Sequence, residues 1–301
     1  MTPVLRRVVP VLMGALALAS TGCGSKSSER APTSPTGARP PAVGSDAQGV
    51  RAMAVAPPLG GASSFGVVGA ATVTNTGPTV VNGDLGLSPG SSVTGFPPGI
   101  VNGTIHIADA TALAAQNSIT TAYNQLAGQA CNINLTGIDL GGLTLTPGAY
   151  CFSSSAQLTG TLTLNGLGNP GAVWVFQIGS TLTTASGSSV VFINGGQPCG
   201  AFWQVGSSAT LGTATSFGGN ILALASVTAT TGATSSGAFF ARTGAVTLDT
   251  NTVNVVGSCG GGPQPSPTPL PGGPAPALPE VATWALLAIL LASGAFVLSR
   301  H

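Results

Sequence analysis

The residues able to do acid–base chemistry are few and scattered. Between residues 58 and 259 the charged side chains are Asp84, Asp109, Asp139, Asp249 and Arg242, and His106 is the one histidine. Cleaving a polysaccharide takes clustered carboxylates, or a carboxylate with a base, held at one cleft. These aspartates lie far apart in the chain, and Asp84 in "NGDLG" reads as a turn former. A hydrolase would need Asp84, Asp139 and Asp249 to converge on folding. Calcium-binding solenoids repeat aspartate at a fixed step, which is absent here. No CxxC or Cys/His spacing marks a metal site. The expectation is a non-enzyme with neither metal nor cofactor.

Hydroxyls are abundant instead. "SVTATTGATSSG", Ser226 to Gly237, carries no charge and no ring. Val227 and Ala229 alternate with polar neighbours, as do Ala209 and Leu211, and Val246 and Leu248. Strand alternation puts the apolar set inside. Thr210, Thr228 and Thr247 then form an outward column, which Thr183 of an earlier coil extends. Gly212, Thr230 and Asp249 form a second. Thr213, Thr231 and Thr250 fall near a corner, followed by Ser216 and Thr234. The N-terminal segment offers Thr76 and Thr79. Each threonine presents a hydroxyl and a methyl in a restricted rotamer. A rigid, uncharged array of this kind suits ordered water as its ligand. Threonine is also a common solvent-facing strand residue.

Composition agrees with a β framework. Only 5% of the 301 residues are charged, against roughly 25% in ordinary globular proteins. A net charge of +1 provides no field for nucleic acid. Forty-five glycines and few helix formers favour many strands and turns. One helix stands out, opening at Asp109 as N-cap and closing at Gly128 as C′. Ala112, Ala115, Ile119, Ala122 and Leu126 give it one apolar stripe. The remainder repeats: Val175–Gly187 resembles Phe202–Ala214, and Ile221 and Phe239 begin similar runs eighteen residues apart. Three short strands per repeat make a β-solenoid.

Five segments follow from these patterns. Residues 1–23 read as an export signal, with Arg6 and Arg7 before an apolar stretch. Cys23 resembles a lipoprotein lipidation site, although an ordinary secretory cut near the same place fits too. Residues 24–57 read as a flexible tether, 58–259 as the folded domain and 260–278 as a Pro/Gly-rich linker. Residues 279–301 read as a hydrophobic membrane anchor or a sorting tail. Cys131, Cys151, Cys199 and Cys259 suggest two disulfides in an exported chain. Of the three possible pairings, Cys131 with Cys151 and Cys199 with Cys259 is favoured.

"LGGASSFGVVGAATVTNTGPTVVNGDLGLSPG", "LTPGAYCF", "GAVWVFQIGSTLTT", "FWQVGSSATLGT" and "GAVTLDTNTV" together resemble the microbial ice-binding protein family. The resemblance spans nearly all of 59–259. It implies a mostly β fold: a right-handed, irregular β-solenoid of triangular section, with one long α-helix packed along its side. It also implies a discontinuous chain order, the N-terminal coil stacking beside C-terminal ones. Family members adsorb to ice through one flat face, some with a Thr-(Ala/Gly)-x-(Thr/Asn) pattern. Thr231-Gly232-Ala233-Thr234 and Thr76-Gly77-Pro78-Thr79 match it, whereas Thr213-Ala214-Thr215-Ser216 and Thr250-Asn251-Thr252-Val253 depart at the last position. The expected candidates for ice contact are Thr76, Thr79, Thr210, Thr213, Ser216, Thr228, Thr230, Thr231, Thr234, Thr247 and Thr250. The expected protein is a monomer on the bacterial cell envelope, membrane-anchored, with ice or ordered water as partner. A surface adhesin or matrix protein on the same solenoid is the competing expectation.

Overall fold

The computed structural model describes residues 53–257 and Cys259. The export signal, Cys23, residues 24–52 of the tether, the linker and the terminal tail lie outside them. Alternating apolar residues wind the chain into coils, each laying one strand on each of three parallel sheets, here faces A, B and C. One coil runs Ala201–Val205, Ala209–Leu211, Ser216–Gly218; the next runs Asn220–Ala223, Val227–Ala229, Thr234–Ser236. A third runs Phe239–Ala241, Val246–Asp249, Thr252–Asn254. The faces hold nine, seven and eight strands. Ile221 sits opposite Phe239 and Val175 opposite Phe202, so the repeats read in the sequence are neighbouring rungs.

The first coil does not stack on the second half in chain order. Its strands Phe65–Gly69, Thr72–Thr76 and Val80–Asn82 pair with the last coil, placing Val67 against Phe239, Thr74 against Thr247 and Val80 against Thr252. Strands Asp84–Leu87, Ser92–Thr94, Ile100–Val101 and Ile105–Ile107 complete that end. The chain must then return to the far end of the stack. The helix Ala110–Ala127 is that return path: 18 residues at about 1.5 Å each span roughly 27 Å along face A. It delivers the chain to Ile133–Asn134, the opposite edge strand of face A.

The helix forms where its signals lie. Asp109 caps it by accepting from the Ala112 N–H at 2.7 Å. Gly128 is the C-cap itself, in right-handed conformation at φ −85°. The stripe Ala112, Ala115, Ile119, Ala122 and Leu126 is fully buried against face A, facing Val68, Leu222 and Phe240. Gln116, on the same side, is buried as well, and its amide donates to the carbonyls of Gly69 and Ala241. Gln177 donates to the carbonyls of Leu126 and Gln129, satisfying the helix end.

Inside the coils, Tyr150, Phe176 and Trp203 occupy successive rungs in register. Phe176 and Trp203 stack with centroids 3.9 Å apart. Such buried aromatic columns supply much of the apolar burial a sparse chain can reach. Cys131–Cys151 and Cys199–Cys259 are both bonded, the favoured pairing.

Candidate functional site

Of the three faces, A is covered by the helix, which leaves B and C open. Face B is built from a repeated tripeptide, hydroxyl or small residue, apolar residue, then threonine. Ser208-Ala209-Thr210, Ser226-Val227-Thr228, Ala245-Val246-Thr247, Thr72-Val73-Thr74 and Ser92-Val93-Thr94 all fit it. The middle residue points in; Val73, Ala209, Val227 and Val246 are fully buried. The last residue points out. Register places Thr183, Thr210, Thr228, Thr247, Thr74 and Thr94 on consecutive rungs, an unbroken ladder of six, with Gln157 on the seventh strand. Rungs in a sheet are about 4.8 Å apart, so the ladder runs roughly 24 Å.

A second ladder lies beside it, two residues earlier on each strand: Ser155, Thr181, Ser208, Ser226, Ala245, Thr72 and Ser92. The Thr181 hydroxyl donates to Ser155 Oγ at 2.8 Å, and Ser226 Oγ accepts from the Ala245 N–H at 3.1 Å. These hydroxyls therefore brace neighbouring rungs. In the threonine ladder, Thr74 and Thr247 approach each other at 3.4 Å. The other four threonines carry hydroxyls open to solvent.

The corner between faces B and C is chemically different. There Thr230 donates to the Leu211 carbonyl at 2.8 Å and lies 3.4 Å from the Thr213 hydroxyl. Thr231 and Thr250 both donate to the Asp249 carboxylate. Their protons are already committed within the protein. Thr76 is exposed and stands opposite Asp249 at the rim of face B. Thr250 takes φ +56° and aligns with Gly232 and Gly77, the left-handed residues of adjacent coils, not with Thr213 and Thr231. The corner after Leu248 is one residue shorter than that after Ala229, which shifts the register.

Face C holds Ser216 and Thr234, paired in register with each other, and Thr234 with Thr252. That column then ends in Val80 and Ile100. The column beside it is mixed, with Val191 exposed near one end and Asn254, Asn82 and Asn102 hydrogen-bonded to one another at the other. The candidate residues thus divide among face B, the corner and face C, and one flat ligand surface cannot cover all three.

Thr79 must be corrected. It is fully buried, and its hydroxyl accepts from the Asn251 N–H at 3.0 Å. Val80, not Thr79, stands opposite Thr252 in the Thr234 column. The Thr76-Gly77-Pro78-Thr79 match is therefore one residue out of phase. Conversely, Thr74 and Thr94 belong to the ladder and were missed. Their tripeptides carried the signal, but their rungs come from the N-terminal segment.

The charged groups lie off the threonine ladder. Asp84 accepts from the Thr104 N–H, and Asp139 from the N–H groups of Gly141 and Thr159. His106 Nδ1 is 2.8 Å from Asp109, at the helix start. Arg242 lies over the Tyr123 ring at 4.3 Å, on the helix side. Each aspartate is held by a different part of the coil, and the described residues contain no metal-binding group of three.

An "Ice-binding-like" family model matches residues 67–254, the span that builds all three faces. The chain belongs to the ice-binding-like family. A protein of Nostoc sp. (strain HG1), "Ice-binding protein", is 62% identical over 197 residues, which is 65% of this chain and 73% of that protein. The crystal structure of an ice-binding protein from an Antarctic biological consortium superposes with a TM-score of 0.66 at 49% identity, covering 67% of this chain and 91% of that one. An ice-binding protein from the Antarctic ascomycete Antarctomyces psychrotrophicus gives 0.66 at 44% identity, covering 68% and 100%. The family and its β-solenoid fold agree with the absence of an assembled catalytic constellation: the protein is not an enzyme.

Proposed function

We propose that this protein adsorbs to ice through face B, with the threonine ladder as the contact. The observation that carries the reading is the unbroken run from Thr183 to Thr94 on one flat sheet. Threonine χ1 is stiff, so little side-chain entropy is lost on ordering water over the face. Exposed hydroxyls can donate and accept, while the methyls between them leave water no choice but to bond to itself. The corner threonines, engaged by Asp249 and the Leu211 carbonyl, cannot rotate their protons to suit a lattice. Thr210, Thr228 and Thr247 are therefore the residues we assign to the site from the sequence candidates, joined by Thr74, Thr94 and Thr183. Relatives bearing the name ice-binding protein support the assignment. Export and tethering by the terminal segments are part of the same proposal, since ice forms outside the cell.

The direct test is partition. Protein held in solution around a slowly growing ice hemisphere is expected to be enriched in the ice fraction. Exclusion into the liquid, as for an ordinary solute, would contradict the proposal.

A further inference from the structure

We propose that the edge between faces C and A is the side on which the domain rests against a lipid surface, so that face B is turned away from it. The consequence for ice rests on the function proposed above; the placement itself rests on separate observations.

Both described ends of the chain lie on that edge. At the entrance, Met53 and Ala54 lie with Asn132, Pro147 and Val173, residues of the turns that lead from face C into face A. Val55 is fixed beside them by two hydrogen bonds with the Gln129 side chain, at 2.9 and 2.7 Å. At the exit, the Val255 N–H donates to the Asn82 carbonyl at the end of a face C strand. The chain then reaches Cys199, just ahead of the face A strand that begins at Ala201, and is bonded there through Cys259. The disulfide thus fixes where the C-terminal flank departs. Each coil visits A, then B, then C, so the C–A edge is the one opposite face B.

The edge also has the right chemistry. Met53, Val55, Leu167 and Ile193 lie along it with 79%, 49%, 65% and 37% of their surface exposed. The outward positions of face B carry no large apolar side chain. Asp84 is the one charged side chain described along the edge, and its carboxylate is held by the Thr104 N–H. Isolated aliphatic side chains on an almost uncharged edge suit shallow contact with a lipid interface. The choice of a lipid partner comes from the chain itself. Beyond Cys259, after residues 260–280, comes Val281–Leu298, eighteen residues without a charge. That length approaches what a membrane span requires.

Tryptophan quenching tests the placement without reference to ice. The full chain has three tryptophans, which set the background emission. Leu167→Trp adds a reporter on the edge, at a position that already tolerates a side chain at φ +54°; Val55→Trp is a second edge reporter should the first misfold. Thr228→Trp reports from face B. In phosphatidylcholine vesicles with brominated acyl chains, the added emission of the edge reporters should be quenched at least twofold, and that of Thr228→Trp left unchanged. Equal quenching of Thr228→Trp would put face B against the lipid and overturn the proposal. Edge emission unaffected by bromine would overturn it too, since the domain would then stand clear of the bilayer.

Discussion

Thr74 stands directly opposite Thr247, with hydroxyls 3.4 Å apart and 173 positions between them in the chain. This pair joins the ladder contributed by the C-terminal coils to the part contributed by the N-terminal one. Without it, face B would be two shorter arrays. With it, one regular surface crosses the break in chain order, and the helix Ala110–Ala127 makes that break possible by carrying the chain back along face A.

Thr79 separates structural from surface threonines. Thr79→Val keeps the shape but leaves the buried Asn251 N–H without its partner. Stability should fall by about 1–2 kcal/mol in denaturant titrations. Thermal hysteresis measured near 0 °C should not change. A clear loss of hysteresis in the folded variant would return Thr79 to the site.

Acid should weaken the fold before it touches the face. The Asp109 carboxyl is held below the ordinary carboxylate range, chiefly by the Ala112 N–H and then by His106. For Asp139, burial opposes ionisation, but the N–H groups of Gly141 and Thr159 prevail and the net shift is downward. Both groups have folded pKa values below their unfolded ones. Their stabilisation is therefore complete above the unfolded value, about 3.9 for aspartate, and is lost as pH falls through the lower folded values. Denaturant midpoints should fall below about pH 4, and Asp139→Asn should flatten part of that decline. Hysteresis should stay constant from about pH 5 to pH 9, because the ladder carries no titratable group.

The two disulfides should contribute unequally. Cys199–Cys259 closes a separation of 60 residues and Cys131–Cys151 one of 20. Chain-entropy reasoning gives roughly 4 kcal/mol for the longer loop and roughly 3 for the shorter. Paired Cys→Ser variants, compared by urea unfolding, should show the larger loss for Cys199 and Cys259. The reverse order would mean that strain or residual structure outweighs loop entropy.

Much of this architecture was legible because local pattern and global fold agree. The helix, its cap at Asp109 and its stripe are local signals, and so is the alternation of Val227 and Ala229 with Thr228. The eighteen-residue step from Ile221 to Phe239 fixed neighbouring rungs. What could not be read locally was the register at corners. The corner after Leu248 is shorter than that after Ala229, and the segment Gly77–Thr79 differs again, so Thr250 and Thr79 move out of the columns that counting residues suggests. Thr74 and Thr94 were hidden for a different reason: they join the ladder through pairing between opposite ends of the domain. The state of hydroxyl protons was also beyond sequence, and it is what sets the Asp249 corner apart from the open ladder.

The account's central claim is that face B, and not face C or the corner, meets ice. Thermal hysteresis of Thr228→Tyr against Thr234→Tyr tests it most directly. Both side chains are solvent-facing, so each substitution should change stability by no more than about 0.5 kcal/mol. A tyrosine at Thr228 projects from the middle of the ladder and should hold the face off the lattice, reducing hysteresis at least tenfold. A tyrosine at Thr234 projects from face C and should leave it within twofold of the unmodified protein. The opposite result, activity lost at Thr234 and kept at Thr228, would contradict the assignment of face B.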